Sequence, residues 1–394
     1  MLTNRWTMLA LIFFTRIWIT FQFQSIPPVA PFLIDEFGLS YSQIGLLTGL
    51  FMLPGALIAV PGGMLGQRFA DRRLVLCGLA LMIVGGMTTA QSTGFVLAGV
   101  GRTVSGIGGV LLNIFLAKMV ADWFAGKELS TAMGIMLTSW PVGIALALAS
   151  LGALASASSW RVAIHATVIP SAIALALMLL LYRDPPRPSE APAGRGWRSL
   201  TLSRRDLTLS ASAGLAWSSL TASSIVFVSF APGFLIAGGA SIVQAGLLAS
   251  LPIWVRMASV PLGGYVADRI GKRELLIVVG CLATALFMLL IPVVPAPVLW
   301  FVLIGIAGGA SPSAIMSLVP QAVKPEHLAT ALGFFYTIFY LGVAVAQPLA
   351  GLTRDLSGNP AMPVLFAAAL MVLPVVALGI CRSVQRRPPG QIAA

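Results

Sequence analysis

Charge is what this chain lacks. Only 9% of its 394 residues are Asp, Glu, Lys or Arg, while 58% are hydrophobic and the mean hydropathy is +0.95; soluble domains carry about a quarter charged residues. A water-soluble enzyme is excluded. Cysteine is scarce as well: Cys77, Cys281 and Cys381 lie in three different apolar runs without metal-ligand spacing, so no disulfide framework and no metal site follow. The phosphate loop G-x-x-x-x-G-K-[ST] is missing, which removes ATP as the energy source. The long apolar runs contain no Asp and no Glu, so acid–base or metal chemistry within them has no carboxylate to use. No enzyme and no cofactor is expected.

What is present is a series of apolar runs of about 20 residues, the length an α-helix needs to cross roughly 30 Å of hydrocarbon. Charged or Pro/Gly breaks place spans near 7–34, 43–66, 74–91, 95–120, 129–151 and 160–182, then 207–236, 242–266, 275–294, 297–319, 328–350 and 361–381. The first run follows Arg5 and exceeds signal-peptide length without a small-residue cleavage site, so it is read as a retained span. Between the sixth and seventh spans, residues 183–206 hold Pro185, Pro186, Pro188, Pro192 and six arginines, which is linker composition. The predicted architecture is an all-α integral membrane protein of twelve transmembrane helices in two pseudo-symmetric six-helix bundles, 1–182 and 207–394, joined by the linker 183–206.

The net charge of +12 does not mark a nucleic-acid binder, because the basic residues sit in short loops rather than on one face. Eighteen Lys and Arg fall on the side of the termini and linker, against Arg161 and Arg354 on the other. The positive-inside rule puts both termini in the cytoplasm of a cell membrane, the inner membrane of a bacterial cell. The halves also repeat one another: Gly45-Leu46-Leu47 matches Gly246-Leu247-Leu248, and Ala30-Pro31 matches Ala231-Pro232, at a shift of 201 residues.

Two loops carry a motif. Gly264-Tyr265-Val266-Ala267-Asp268-Arg269-Ile270-Gly271-Lys272-Arg273 resembles the G-x-x-x-D-R-x-G-x-R loop of the major facilitator superfamily, and the copy at Gly63–Arg73 is degenerate, with Gln67 in the acidic position. Arg102, Gly106, Gly108 and Gly109 are similar to that superfamily's R-x-x-x-G-x-G element in span 4. The resemblance covers essentially the whole chain and implies alternating access by two bundles rocking about a central site. It gives Gly264, Asp268, Arg269 and Arg273 a conformational role as a latch at a helix end, stronger at Asp268 than at Gln67. For Arg102 it implies a conformational or structural role, with substrate contact as the other reading.

Inside the spans lie Arg16, Arg102, Lys118, Arg256 and His165. Such groups are costly in hydrocarbon and each needs a reason. Lys118 is near a helix end, where its stem can snorkel, and His165 is close to the outer end, as an interfacial histidine or a proton relay. Arg16 lies about 15 Å along its helix from Trp6, and Arg256 about 12 Å from Gly264. Helical spacing puts Arg16, Thr20, Phe23 and Pro27 on one face, with Gln24 at its edge. The resemblance implies that the first, seventh and eighth spans border the central cavity. The substrate-binding candidates are therefore Arg16, Arg256, Thr20, Gln24, Trp217, Tyr336 and Tyr340; Trp217 is the repeat equivalent of Arg16, and the tyrosines are alternative structural partners for the arginines.

Guanidinium forks suit carboxylate-like or other planar oxyanions. The expected partners are a small anionic substrate and the lipid bilayer, with no nucleic acid, and the chain is expected to work as a monomer. Within the superfamily this looks most like the cyanate, nitrate/nitrite and small organic-anion carriers, working by anion exchange or proton-linked symport. Spans 5 and 11 lack the Gly/Asn-rich pattern of nitrate porters, and span 5 also lacks a clear G-x-x-x-G-P-x-x-G-G run, which counts against a proton-driven drug exporter. A drug or metabolite efflux carrier of the same fold stays as the alternative.

Overall fold

The computed structural model describes residues 4–65, 68–125, 128–184, 204–316 and 328–386; within these, the side chains of 59–60, 62–65, 130, 267–268, 273, 328–330 and 385–386 lie outside the description. The expectations for Gln67 and for the side chains of Asp268 and Arg273 therefore fall outside the described residues. All described regular structure is helical: α1 (Arg5–Phe23), α2 (Ile26–Phe37), α3 (Tyr41–Leu65), α4 (Asp71–Ala90), α5 (Phe95–Trp123), α6 (Leu129–Ala157) and α7 (Trp160–Leu181) in the first half. The second half holds α8 (Arg204–Ala237), α9 (Ile242–Ile270), α10 (Arg273–Leu290), α11 (Pro297–Ala307), α12 (Pro312–Met316), α13 (Leu328–Ser357) and α14 (Met362–Arg386). Eleven segments among the described residues are long and apolar enough to cross a bilayer, and α10 adds the shorter apolar stretch Glu274–Leu290.

Span 1 departs from the continuous face expected for it. It is two helices, because Pro27 and Pro28 at the start of α2 have no N–H for the carbonyls of Phe23 and Gln24. The chain kinks at Gln24–Ser25, so Pro27 no longer extends the face of Arg16. Helix α2 then stops at Gly38, whose φ of +63° favours glycine. The two helices of span 10 likewise stop and restart around Ser311.

The halves meet closely at the end opposite the two termini, here termed the distal end. There α3 runs against α13 and α6 against α9, with glycines on the contact lines. A methyl added at Gly45 would overlap the Gln347 carbonyl, and one at Gly246 would overlap the Leu148 carbonyl. Such small residues let membrane helices approach backbone to backbone. The contact is locked by charge as well: both Asp355 carboxylate oxygens, at the end of α13, accept N–H bonds from Tyr41 and Ser42 at the start of α3, each at 2.8 Å. An anion is thereby set on a helix N-terminus of the opposite half.

Candidate functional site

Arg16, on α1, is 5% exposed. Its Nη1 donates to the Met136 carbonyl and the Ser139 hydroxyl on α6, both at 3.0 Å, and its Nη2 donates to Asn113 Oδ1 on α5 at 3.0 Å. The guanidinium lies 5.7 Å from the centroid of the Trp140 ring. Asn113 passes the contact to the other half by donating through Nδ2 to the Tyr340 hydroxyl on α13 at 3.2 Å. Spans 1, 4, 5 and 11 thus converge on one cationic centre, with Tyr336 and Tyr340 within electrostatic reach of it.

A guanidinium has five N–H donors. Three of those on Arg16 are used, all on uncharged acceptors. Its Nε is buried without a partner, and Nη2 has a second hydrogen to give. No described carboxylate forms an ion pair with Arg16, and among the described residues nothing accepts from its Nε–H.

Arg256 sits elsewhere, inside the second half. Its Nη1 donates to the Ser224 hydroxyl on α8 at 2.8 Å, its Nη2 presses against Gly308 at the end of α11, and its Nε is also buried without a partner. It shares no hydrogen-bond partner with Arg16. The two arginines thus have separate surroundings, Arg16 among α1, α5 and α6 and Arg256 between α8 and α9.

The other candidates divide. Gln24 is fully buried and donates through Nε2 to the Ser229 hydroxyl of α8 at 3.0 Å, a bond between the halves on the distal side of Arg16. Thr20 is fully buried; its hydroxyl donates to the Ile17 carbonyl at 3.1 Å and fills the space beside Gly143 of α6. Trp217 is half-buried against the hydrophobic core. Tyr340 is 5% exposed and Tyr336 is 36% exposed, stacked edge-on to Phe335 and Phe339. Of the residues expected in the loop, Gly264 and Arg269 instead lie in the last turns of α9; Arg269 is exposed and donates to the Tyr265 hydroxyl one turn back at 3.1 Å, and Gly264 faces Ser313.

Arg102 is 1% exposed and faces the break in span 1. Its Nη1 donates to the Gln22 carbonyl at 2.7 Å and the Ser25 hydroxyl at 3.2 Å, its Nη2 to the Phe23 carbonyl at 2.6 Å, and its Nε to the Leu47 carbonyl at 3.0 Å. It thus takes up the Phe23 carbonyl that Pro27 leaves without a donor. Lys118 pairs with Asp71 at 2.5 Å while remaining 40% exposed at its side chain. His165 is half-buried on α7.

Sequence reasoning did not single out Asn113 or Ser139. A signal was available for the first: the chain has three asparagines, and Asn113 is the one that falls within an apolar run. Ser139 is one serine among many and is found only by its distance to Arg16.

Comparison with known proteins agrees with this architecture. The family model described as Major Facilitator Superfamily matches residues 12–239 and again 213–393. Among curated relatives, the hexuronate transporter of Bacillus subtilis is 25% identical over 62% of this chain and 60% of its own length. The chain thus aligns with about three-fifths of that relative. The 2-nitroimidazole transporter of Escherichia coli is 25% identical over 96% of this chain and 95% of its own, and the cyanate transport protein of the same organism 24% over 88% and 90%. A crystal structure of the nucleoside transporter NupG superposes with a TM-score of 0.77 at 15% identity, covering 96% of this chain and 100% of that one, which shows a shared fold.

Proposed function

The chain belongs to the Major Facilitator Superfamily, and from that premise we propose that it is a secondary carrier for a small organic anion, working by alternating access as an anion exchanger or proton-linked symporter. One observation carries the anion: Arg16 is buried with its charge uncompensated by any described carboxylate and with the Nε–H of its Nε–Nη2 edge unbonded. Burying a guanidinium without a counter-ion is costly. A bound carboxylate or sulfonate would offset that cost through two parallel hydrogen bonds. The names of the hexuronate and cyanate relatives support an anionic cargo; a molecule of the hexuronate class also has hydroxyl groups for Asn113, Ser139 and Tyr340.

In this reading the distal end faces outward and is shut, with both termini and the linker in the cytoplasm of a cell inner membrane. The bundles 1–182 and 207–394 are the rocking units. Arg102 ties α1, α2 and α3 to α5, so the first bundle moves as one body about the kink. The working unit is one copy of the chain.

A thermal-shift screen of the purified protein tests this reading. Binding to the folded state at about 100 times Kd raises stability by about 2.7 kcal/mol. Glucuronate, galactonate, sulfoacetate, lactate, oxalate, formate, nitrate, nitrite and cyanate are compared with glucose and with cationic amphiphiles. At least one anion is expected to raise the midpoint, and Arg16→Lys to abolish the rise. A rise with 2-nitroimidazole or cationic amphiphiles alone would replace this proposal by the efflux carrier.

A further inference from the structure

Beyond Gln24 and Ser229, toward the distal end, the halves frame a partly open cavity of about 350 Å³ between α2, α3, α6, α8, α9 and α13. This falls within the usual size range of small-molecule sites. Its walls are mainly apolar, with Pro31, Leu148 and Ile242 among them, Ser229 on its lining and Arg354 facing it.

Arg354 is unusual in its surroundings. Its guanidinium carbon lies 3.7 Å from the centroid of the Tyr41 ring across the half-to-half boundary, and its Nη1 is packed against Gly233 of α8. That Nη1 is enclosed and has no hydrogen-bond partner. The neighbouring carboxylate, Asp355, has both oxygens engaged by the α3 N-terminus. Asp35 also lines the cavity but is exposed. No described ion pair involves Arg354. A planar cation is thus fixed by stacking, one nitrogen lacks an acceptor, and an apolar chamber large enough for a small molecule adjoins it.

We propose that this cavity is a second anion site, in series with the Arg16 site along the boundary between the halves. It holds a small organic carboxylate or sulfonate, with the oxyanion on Arg354 and the hydrocarbon body against the proline and aliphatic walls, while the Gln24–Ser229 bond separates it from the centre. The inference deepens the anion-carrier reading and depends on it for the ligand's place in transport; the charge preference of the cavity can be measured without it.

The test uses the full chain in proteoliposomes, with Cys77→Ser to remove the exposed native thiol and Ala237→Cys to place a reporter on the cavity lining. Labelling rates are compared for an anionic sulfonatoethyl and a cationic trimethylammonioethyl methanethiosulfonate. The anionic-to-cationic rate ratio is expected to fall at least about fivefold in Arg354→Gln and to stay within about twofold in Arg354→Lys, because the local potential follows the charge. An unchanged ratio in Arg354→Gln overturns the site. With native Arg354, millimolar glucuronate or sulfoacetate is expected to slow labelling while glucose does not; equal slowing by glucose, or none by either anion, also overturns it. Arg16→Lys separates the two proposals. Protection that persists in Arg16→Lys supports a distinct site, and protection lost with it assigns the effect to the central site and removes this one. If anions protect through Arg354 but neither bind at Arg16 nor cross the membrane, the carrier reading fails and the cavity site stands.

Discussion

Arg16 and Arg102 lie in the same half, are almost equally buried, and use their donors in opposite ways. Arg102 gives four hydrogen bonds, three of them to backbone carbonyls, two at the proline break and one on α3. Arg16 gives three, to a serine, an asparagine and one carbonyl, and keeps its Nε unbonded. The first arrangement repairs the backbone; the second presents a charge. Burial alone does not tell a structural arginine from a binding one, and the inventory of its donors does.

Removing the side chains should separate the two most strongly. Arg102→Met leaves the Phe23 carbonyl without a donor, at about 1–3 kcal/mol for a buried unsatisfied group, while the Gln22 carbonyl keeps the Ser25 N–H at 3.2 Å. A loss on the order of 1–3 kcal/mol is expected, seen as a fall in folded yield and thermal midpoint. Arg16→Met removes a buried charge that no described carboxylate pairs with, and so removes the cost of its desolvation. Its midpoint should stay level or rise while anion uptake disappears. Equal destabilisation by both substitutions would break the comparison.

A conservative change sharpens it. Arg16→Lys keeps a positive charge and loses the planar fork, so uptake of the anion should drop at least about tenfold at normal membrane levels. Arg256→Lys is expected to act in the same direction. Either lysine variant with native affinity and rate would make that arginine a structural charge.

The two ends of the molecule extend the contrast on a smaller scale. Asp355→Asn weakens the anion on the α3 N-terminus by about 0.3–1 kcal/mol, which is roughly a two- to fivefold shift of population toward the form open at the distal end. Asp268→Asn, in the last turn of α9 at the other end, should shift it the opposite way, and by more than any substitution of Gln67. Cysteine accessibility measured on each face reads both. Shifts in the same direction would remove the paired-latch argument.

Much of the fold was legible because the bilayer imposes it: length and hydropathy locate the spans, and the matches of Gly45-Leu46-Leu47 and Ala30-Pro31 at a shift of 201 residues point to the repeat. The kink in span 1 was written in Pro27 and Pro28, whose missing N–H groups require another donor. That the donor is Arg102, some 80 residues away, depends on packing and not on spacing. The same holds for the site. Arg16 stood out as a charge in an apolar run, whereas Asn113 and Ser139 are ordinary polar residues until the helices bring them within 3.0 Å of it. The distal lock joins Tyr41 to Asp355 across nearly the whole chain, a contact no local pattern announces.

The smallest expected effect concerns coupling. Carriers that take up a proton on a side chain in the transport path use an Asp or Glu there, and the apolar runs expected from the sequence hold neither. His165 is the histidine within the described spans, half-buried on α7, and no described hydrogen bond from its side chain links it to Arg16, Asn113 or Tyr340. A relay needs a continuous path of exchangeable groups, and the polar cluster around Arg16 belongs to α1, α5, α6 and α13. Any proton that moves should therefore travel with the substrate, or the carrier should exchange one anion for another. His165→Gln is expected to keep uptake within about twofold of native and to retain its pH dependence, a change below about 0.4 kcal/mol. Preloading vesicles with a second anion should accelerate uptake of the first. Loss of all proton-driven uptake in His165→Gln, with normal binding and no response to preloading, would instead make His165 the coupling group and extend the site from Arg16 to α7.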